Sequence, residues 1–433
     1  MLLTVRSNWA LLLGIGLLML GHGLQNTLLG VRASIEGFPT SITGIVMSGY
    51  SIGFLVSAIV TPRLVAHVGH VRVFAAFTAL ASSAILAHTL LLEPISWFVL
   101  RFLTGVCMSG AYVVAESWLN RAATNEDRGS LLSVYMLVQL TAWAGGQLLL
   151  NAADPGGFRL FIGVSVLLSV AVVPMLLTAS PAPATAAARS FGLIRLYRSS
   201  PLGFVGMFGV GLSQGAFFAM GAVFAGEIGL DVAGISLFMA LAIVGGVLLQ
   251  WPVGRLSDKL DRRRVLTGTT ILAGLATGIV VLAGTGAFPV VAAAFFLYGG
   301  MCLPMYALCI AHTNDNLDAE DMVGASGTLV LVVGIGMVLG PPLAAAAMDL
   351  QGPAGFASFF TIVHLGIGAF ALYRMTRRGP VPMAAQGQHI FTPQPSPVAA
   401  VLVQETAIGQ QEAKEQTGPA QSPLASPAGH GYN

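Results

Sequence analysis

Three side chains in one long apolar run, Arg101, Tyr112 and Glu116, carry chemistry that a membrane interior accommodates only at a cost. They stand at offsets of eleven and fifteen residues, close to whole helical turns, so a helix would place all three on one face. Arg101 lies about two turns from the outer end of that run and calls for a carboxylate or an anionic group of a substrate. The alternative is a structural arginine satisfied by backbone carbonyls and water. Glu116 lies about a turn and a half from the inner end, where a carboxylate could carry a coupling proton. Its alternative is an ion pair with Arg63, Arg72 or Arg128 on the cytoplasmic rim.

The first apolar run adds His22, Gln25 and Asn26 at i, i+3 and i+4, one polar face on an otherwise greasy helix. That pattern predicts a cavity wall. His22 could exchange a proton there, although a lone intramembrane histidine more often packs and hydrogen-bonds. The fifth run repeats the idea with Gln139, Trp143 and Gln147, each four apart. Trp143 would stack on a sugar or aromatic ring, while the glutamines could equally tie helices together. Gln214, Phe217, Phe218, Tyr298 and Met305 are the matching positions in the second half and predict a more apolar wall. His312 and Asn314 fall at a span end and are expected at the rim; His364 is expected to be peripheral.

Elements able to hold these groups follow from composition. The 433 residues are 55% hydrophobic and only 9% charged, with a mean hydropathy of +0.81. That describes an all-α membrane protein. A span needs about 20 mainly apolar residues. That rule predicts Trp9–Val31, Ile42–Val65, Val71–Leu92, Ile95–Leu119, Leu131–Asn151 and Phe158–Thr178. A second set follows at Leu202–Ala225, Gly234–Val253, Val265–Ala283, Phe288–Ala311, Val323–Met348 and Phe356–Arg374. The chain therefore divides into an N-terminal six-helix bundle (1–178), a cytoplasmic central linker (179–200), a C-terminal six-helix bundle (201–378) and a disordered cytoplasmic tail (379–433). The second part of the linker, Arg189 to Arg198, could form a short basic surface helix.

The halves repeat. A shift of 192 lays Arg63–Val73 over Arg255–Val265, and a shift of 194 lays Phe102-Leu-Thr-Gly105 over Phe296-Leu-Tyr-Gly299. Basic residues fall almost wholly on one side if both termini are cytoplasmic; only Arg32 and Arg159 then lie in outer loops. Cys107, Cys302 and Cys309 lie in apolar runs without metal-ligand spacing and are read as packing residues.

Seven ionisable side chains crowd the eleven residues from Gly254 to Arg264. The pattern Gly254-x-x-x-Asp258-Lys259-x-x-Arg262-Arg263 reads as a tight cytoplasmic turn, with Gly254 where the first helix ends and Asp258 accepting from free amides of the next. It resembles the loop signature of the major facilitator superfamily of secondary transporters, with Asp261 where that family usually has a second glycine. Arg101 and Gly105 are similar to the family's Arg-x-x-x-Gly pattern, whose arginine is tied to coupling in proton-driven members. The run Ala115-Glu116-Ser117-Trp118-Leu119-Asn120 resembles the bacterial YcaD-like subgroup.

The resemblance implies two six-helix bundles that rock around a midplane site, and a loop in which Gly254, Asp258, Lys259, Arg262 and Arg263 latch the closed state. It also implies a monomer in the cell's inner or plasma membrane, moving a small solute with possible proton coupling. Gly334-x-Gly336-x-x-x-Gly340-Pro341-Pro342 lets the eleventh helix approach a neighbour closely. It resembles a motif that antiporters of the family carry in helix 5, so no transport direction follows. No phosphate-cradling Gly-x-x-x-x-Gly-Lys-Ser/Thr loop is present, and His-Glu-x-x-His is absent. An enzyme and a cofactor are therefore not expected, and a net charge of +2, with its basic residues spread over short loops, gives no nucleic-acid signal. A transport-inactive sensor or scaffold, and a proton-coupled drug or sugar efflux antiporter, are the alternatives.

Overall fold

The computed structural model describes residues 8–122, 128–177, 191–377, 379, 381, 382 and 386. Twelve long helices follow one another: α1 (Trp9–Ile35), α2 (Thr40–Val68), α3 (His70–Leu90), α4 (Pro94–Ala122), α5 (Arg128–Leu148), α6 (Arg159–Leu177), α7 (Pro201–Glu227), α8 (Val232–Lys259), α9 (Arg262–Ala283), α10 (Phe288–Asn314), α11 (Ala319–Gln351) and α12 (Ala354–Arg377). There is no strand among the described residues. Eleven of the helices are long and apolar enough, among those residues, to cross a membrane; the exception, α5, carries Gln139 and Gln147. Large apolar side chains face outward, with Leu90 81%, Leu282 90% and Leu350 84% exposed. Such a surface is stable against lipid tails and not against water.

Most helices outrun the apolar stretches that foretold them. The largest difference is at the charged segment. There α8 continues through Gly254 to Lys259 and α9 already begins at Arg262, leaving a turn of only Leu260 and Asp261. Apolarity marks where lipid lies, whereas charged residues of good helix propensity continue a helix into water. Asp258 is consequently an exposed residue of the last turn of α8 and does not cap the next helix. Asp261 does so, accepting from the Arg263 amide at 3.0 Å.

In the first half α2 packs on α4, α1 on α5 and α6, and α3 on α4 and α6; the second half repeats each pairing six helices later. The repeat extends to single glycines. A Cβ on Gly53 or Gly105 would lie 2.1 Å from the Phe102 carbonyl oxygen or 2.0 Å from that of Tyr50. At the equivalent Gly245 and Gly299 it would lie 2.0 Å from the Phe296 or Ala242 oxygen. Backbone thus rests on backbone in α2–α4 and again in α8–α10, which only glycine permits. The shifts of 192 and 194 residues seen in the sequence are the shifts of these contacts.

The halves meet through α2–α11, α5–α8 and α1–α7. At the end carrying the α1–α2 turn, Thr40 donates to Glu227 at 2.9 Å. A Cβ on Gly44 would stand 2.6 Å from that of Ala345. The short helix Leu193–Ser199 buries Leu196 and lies against the second half, where Arg195 pairs with Asp321 at 2.6 Å. Residues 179–190, and the tail apart from the four positions above, lie outside the described residues. His364 departs from expectation: it is fully buried, with Nε2 3.1 Å from Ser213 Oγ and Nδ1 3.2 Å from Thr270 Oγ1. A helix on the rim of a bundle still has one inward face, and His364 occupies it, tying α12 to α7 and α9.

Candidate functional site

Two glycine contacts build the site. Gly23 and Gly146 bring α1 and α5 together so closely that a Cβ on Gly23 would meet the Trp143 carbonyl at 2.5 Å. The Trp143 ring therefore lies over that of His22, 6.3 Å between centroids and 29° between planes. Gly105, one turn along α4 from Arg101, lets the Tyr50 backbone approach, and the Arg101 guanidinium then sits over the Tyr50 ring at 4.7 Å.

Arg101 is 3% exposed and has no ion pair among the described residues. Its Nη1 donates to Asn26 Oδ1 at 3.2 Å, Asn26 Nδ2 lies 3.0 Å from His22 Nε2, and the Tyr50 hydroxyl lies 3.5 Å from that same nitrogen. The arginine is held by a side-chain amide and a ring face, not by backbone carbonyls. These groups front a cavity of about 620 Å³ between the bundles. From the first half it is lined by His22, Asn26, Met47, Tyr50, Ser51, Phe54, Arg101, Tyr112 and Trp143; from the second, by Gln214, Gly215, Phe218, Ala219 and Met337. Trp143 and Phe218 touch across the seam, 4.1 Å between ring centroids. Beyond Gln214 and Phe218 lies an apolar chamber of about 240 Å³, bounded by Tyr298 and Cys302.

The structure thus brings His22, Asn26, Arg101, Tyr112, Trp143 and Gln214 to one cavity and puts Tyr298 on its annex. The other named residues stand elsewhere. Gln25 is fully buried with both amide atoms unpartnered. Gln147 accepts from Thr27, a tie between α5 and α1. Glu116 is buried about 22 Å along α4 from Arg101, at the α-helical rise. It accepts from the Tyr135 hydroxyl at 2.8 Å, and Gln139 donates to that hydroxyl at 3.4 Å. Arg63 and Arg72 are exposed; the side chain of Arg128 lies outside the described residues.

At the charged turn Arg262 is 2% exposed and pairs with Asp315 at 2.5 Å, donating also to the Ala311 carbonyl at 3.1 Å and Ser257 Oγ at 3.2 Å. Arg263 pairs with Asp261 at 2.8 Å. Burial pushes the Asp261 carboxyl up, but the Arg263 hydrogen bonds and the charges of Arg263 and Arg264 outweigh it, holding the group below the usual carboxylate range. Gly254 is buried, while Asp258 and Lys259 are exposed. Asp261, Arg262, Arg263, His312, Asp315 and Arg374 line a second cavity of about 470 Å³ at this end. His312 and Asn314 are buried in α10, so the rim expected for them is packed.

Sequence reasoning missed Tyr50, Met47, Ser51 and Met337 in the cavity, Tyr135 beside Glu116, and Asp315. Ser48-Gly49-Tyr50-Ser51 was the available signal, a small polar cluster inside an apolar span. Asp315 gave none, because it follows α10 in a turn that could equally be solvated.

Comparison with known proteins agrees with this architecture. The family profile described as Major Facilitator Superfamily matches residues 11–251 and 203–409. The chain is 28% identical over 341 residues to the uncharacterized MFS-type transporter YcaD of Escherichia fergusonii, covering 78% of this chain and 88% of the relative. The YcaD protein of Salmonella typhimurium matches with the same identity and coverage. Among solved structures, the nucleoside transporter NupG superposes with a TM-score of 0.73 at 13% identity, covering 85% of this chain and 98% of that one. A bacterial homologue of the human lysosomal transporter Spinster, inward-facing and unoccupied, gives 0.63 at 14% identity over 94% and 98%. At these identities the likeness is one of fold.

Proposed function

The chain belongs to the major facilitator superfamily, and from that premise we propose that it is a secondary active transporter of one small solute, working by alternating access around the Arg101 cavity. One observation carries this reading: the cavity wall is shared, with His22, Asn26, Arg101 and Trp143 from one bundle and Gln214, Phe218 and Met337 from the other. A site built across a seam changes its exposure when the bundles rock. With both termini cytoplasmic in a bacterial inner membrane, the Thr40–Glu227 and Gly44–Ala345 contacts lie at the outer side and join the bundles there.

We further assign the coupling ion as a proton carried by Glu116. A carboxylate buried against Tyr135 can exist charged or neutral, and its protonation would bias the bundles between two states. Asp258, exposed at the end of α8, belongs to the latch that holds the inner side closed in the opposite state.

Spin labels test the reading without a known substrate. One pair would span the bundles at the α1–α2 end and another at the α2–α3 end, in full-length protein reconstituted in nanodiscs. The two distances should change reciprocally as pH is lowered, and Glu116→Gln should remove the pH response. Distances fixed at both ends across pH and across a panel of metabolites would refute alternating access. They would favour the sensor or scaffold instead.

A further inference from the structure

The hydrogen-bond chain behind the cavity fixes the orientation of the Asn26 amide and the tautomer of His22. Arginine can only donate, so the Asn26 atom 3.2 Å from Arg101 must be its oxygen. The amide nitrogen of Asn26 therefore faces His22 Nε2 at 3.0 Å and donates to it. A ring nitrogen that accepts carries no hydrogen, so the proton of neutral His22 sits on Nδ1. That Nδ1 is buried and unpartnered, as are Arg101 Nε, Trp143 Nε1, Gln214 Nε2 and the Tyr112 hydroxyl. His22 Nδ1, Arg101 Nε and Trp143 Nε1 are donors, the Tyr112 hydroxyl can donate, and the Gln214 amide presents a donor in one of its two orientations. None is solely an acceptor.

Charge points the same way. Arg101 is the one guanidinium or ammonium group among the cavity's lining residues, and no carboxylate accompanies it. Glu116, on the same helix, is about 22 Å away. A buried cation facing only an amide and a ring lacks the counter-charge that ordinarily offsets its desolvation. The remaining wall is aromatic and thioether: Tyr50, Phe54, Phe218, Met47 and Met337.

From these observations we infer that the solute is an organic anion, a carboxylate on a flat apolar body, whose oxygens take the donors around Arg101 while its ring rests on the Trp143–Phe218 wall. The inference rests on the transporter reading of this cavity and narrows it to a substrate class. Trp143 and Phe218 come from opposite bundles, so a ring lying on them would bear on the contact that closes the seam.

Three probes of one shape and different charge decide it: 2-naphthoate, 2-naphthamide and 2-naphthylmethylamine. Each is titrated calorimetrically into the full-length protein in nanodiscs, with empty nanodiscs as control. The carboxylate should bind at least about ten-fold tighter than the amide, and the amine weakest. Arg101→Gln should bring anion and amide within about two-fold of each other, whereas Arg101→Lys, which keeps the charge, should retain part of the preference. Equal or tighter binding of the amide or amine, preference unchanged in Arg101→Gln, or no binding by any probe would each overturn the inference. Because the charge series is read on the unaltered protein, misfolding of a variant cannot mimic the result. The spin-label distances report separately. Reciprocal motion without naphthoate binding removes the anion and leaves the transporter; naphthoate binding without motion does the reverse.

Discussion

Arg262 and Asp315 form an ion pair of 2.5 Å in which the side chains are 2% and 3% exposed. It joins the first turn of α9 to the residue that ends α10, and the Ala311 carbonyl and Ser257 hydroxyl take further guanidinium hydrogens. Removing the carboxylate deprives a buried guanidinium of a counter-charge 2.5 Å away. Asp315→Ala should therefore destabilise the protein by about 3–5 kcal/mol, read as a lowered thermal midpoint of the purified protein. The paired replacement Arg262→Met with Asp315→Leu should cost clearly less, because no charge remains to be solvated. Equal losses in the two variants would show that the pair matters for its shape and not its charge.

The mirrored glycines predict a matched pair of defects. Gly105→Ala and Gly299→Ala each force a methyl to within 2.0 Å of a neighbouring carbonyl oxygen, so the helices must part. Each should cost about 1–3 kcal/mol of stability, as overpacking does. Gly163→Ala in α6 and Gly366→Ala in α12 meet nothing within 4 Å. Those should be neutral or stabilising by up to about 1 kcal/mol. A thermal melt of the four variants side by side checks the contrast.

Asp261 is the side-chain cap of α9, and Asp261→Ala should cost about 0.5–2 kcal/mol. Its carboxyl is held below its ordinary range in the folded protein. A depressed folded value means that the contribution is fully present above the unfolded value, about pH 4, and is lost as pH falls through the folded one. The stability gap between wild type and Asp261→Ala should stay level near neutrality and close in acid. A gap that widened on acidification would contradict the assigned pairing with Arg263.

Thr40 and Glu227 bridge the bundles at the end we place outside the cell, with 2.9 Å between Oγ1 and the carboxylate. Cysteines at these two positions, joined by a short bismaleimide, should hold that end shut. In the spin-label experiment the distance at the opposite end should then stop responding to pH. The native Cys107, Cys302 and Cys309 are buried and should compete little for the reagent. Full motion after complete cross-linking would mean that the seam opens elsewhere.

Much of the fold was legible because lipid imposes one rule on every span. Twelve apolar runs became twelve long helices, and Gly105 over Gly299 in the repeat became a shared packing contact. The charged turn was misjudged for the same reason: the rule detects lipid, and α8 runs on past it to Lys259. Arg101, Asn26 and His22 each stood out as an expensive polar group. What no local pattern could give was their meeting, since 75 residues of chain separate Arg101 from Asn26. Glu116 shared a helical face with Arg101 and Tyr112, yet a common face on a long helix covers several depths, and Glu116 joins Tyr135 instead. His364 was judged from its place in the order of helices, and that order does not say which way a side chain points.

The doubled glycine contacts have a mechanical consequence. Where α2 lies on α4, and α8 on α10, main chain presses on main chain with no pliable side chain between them. Each couple must travel as one stiff plank. Under the proposed alternating access, cargo would then pass through a slot whose edges swing apart, not through a tube that dilates, with the slot's width set by how far the planks tilt.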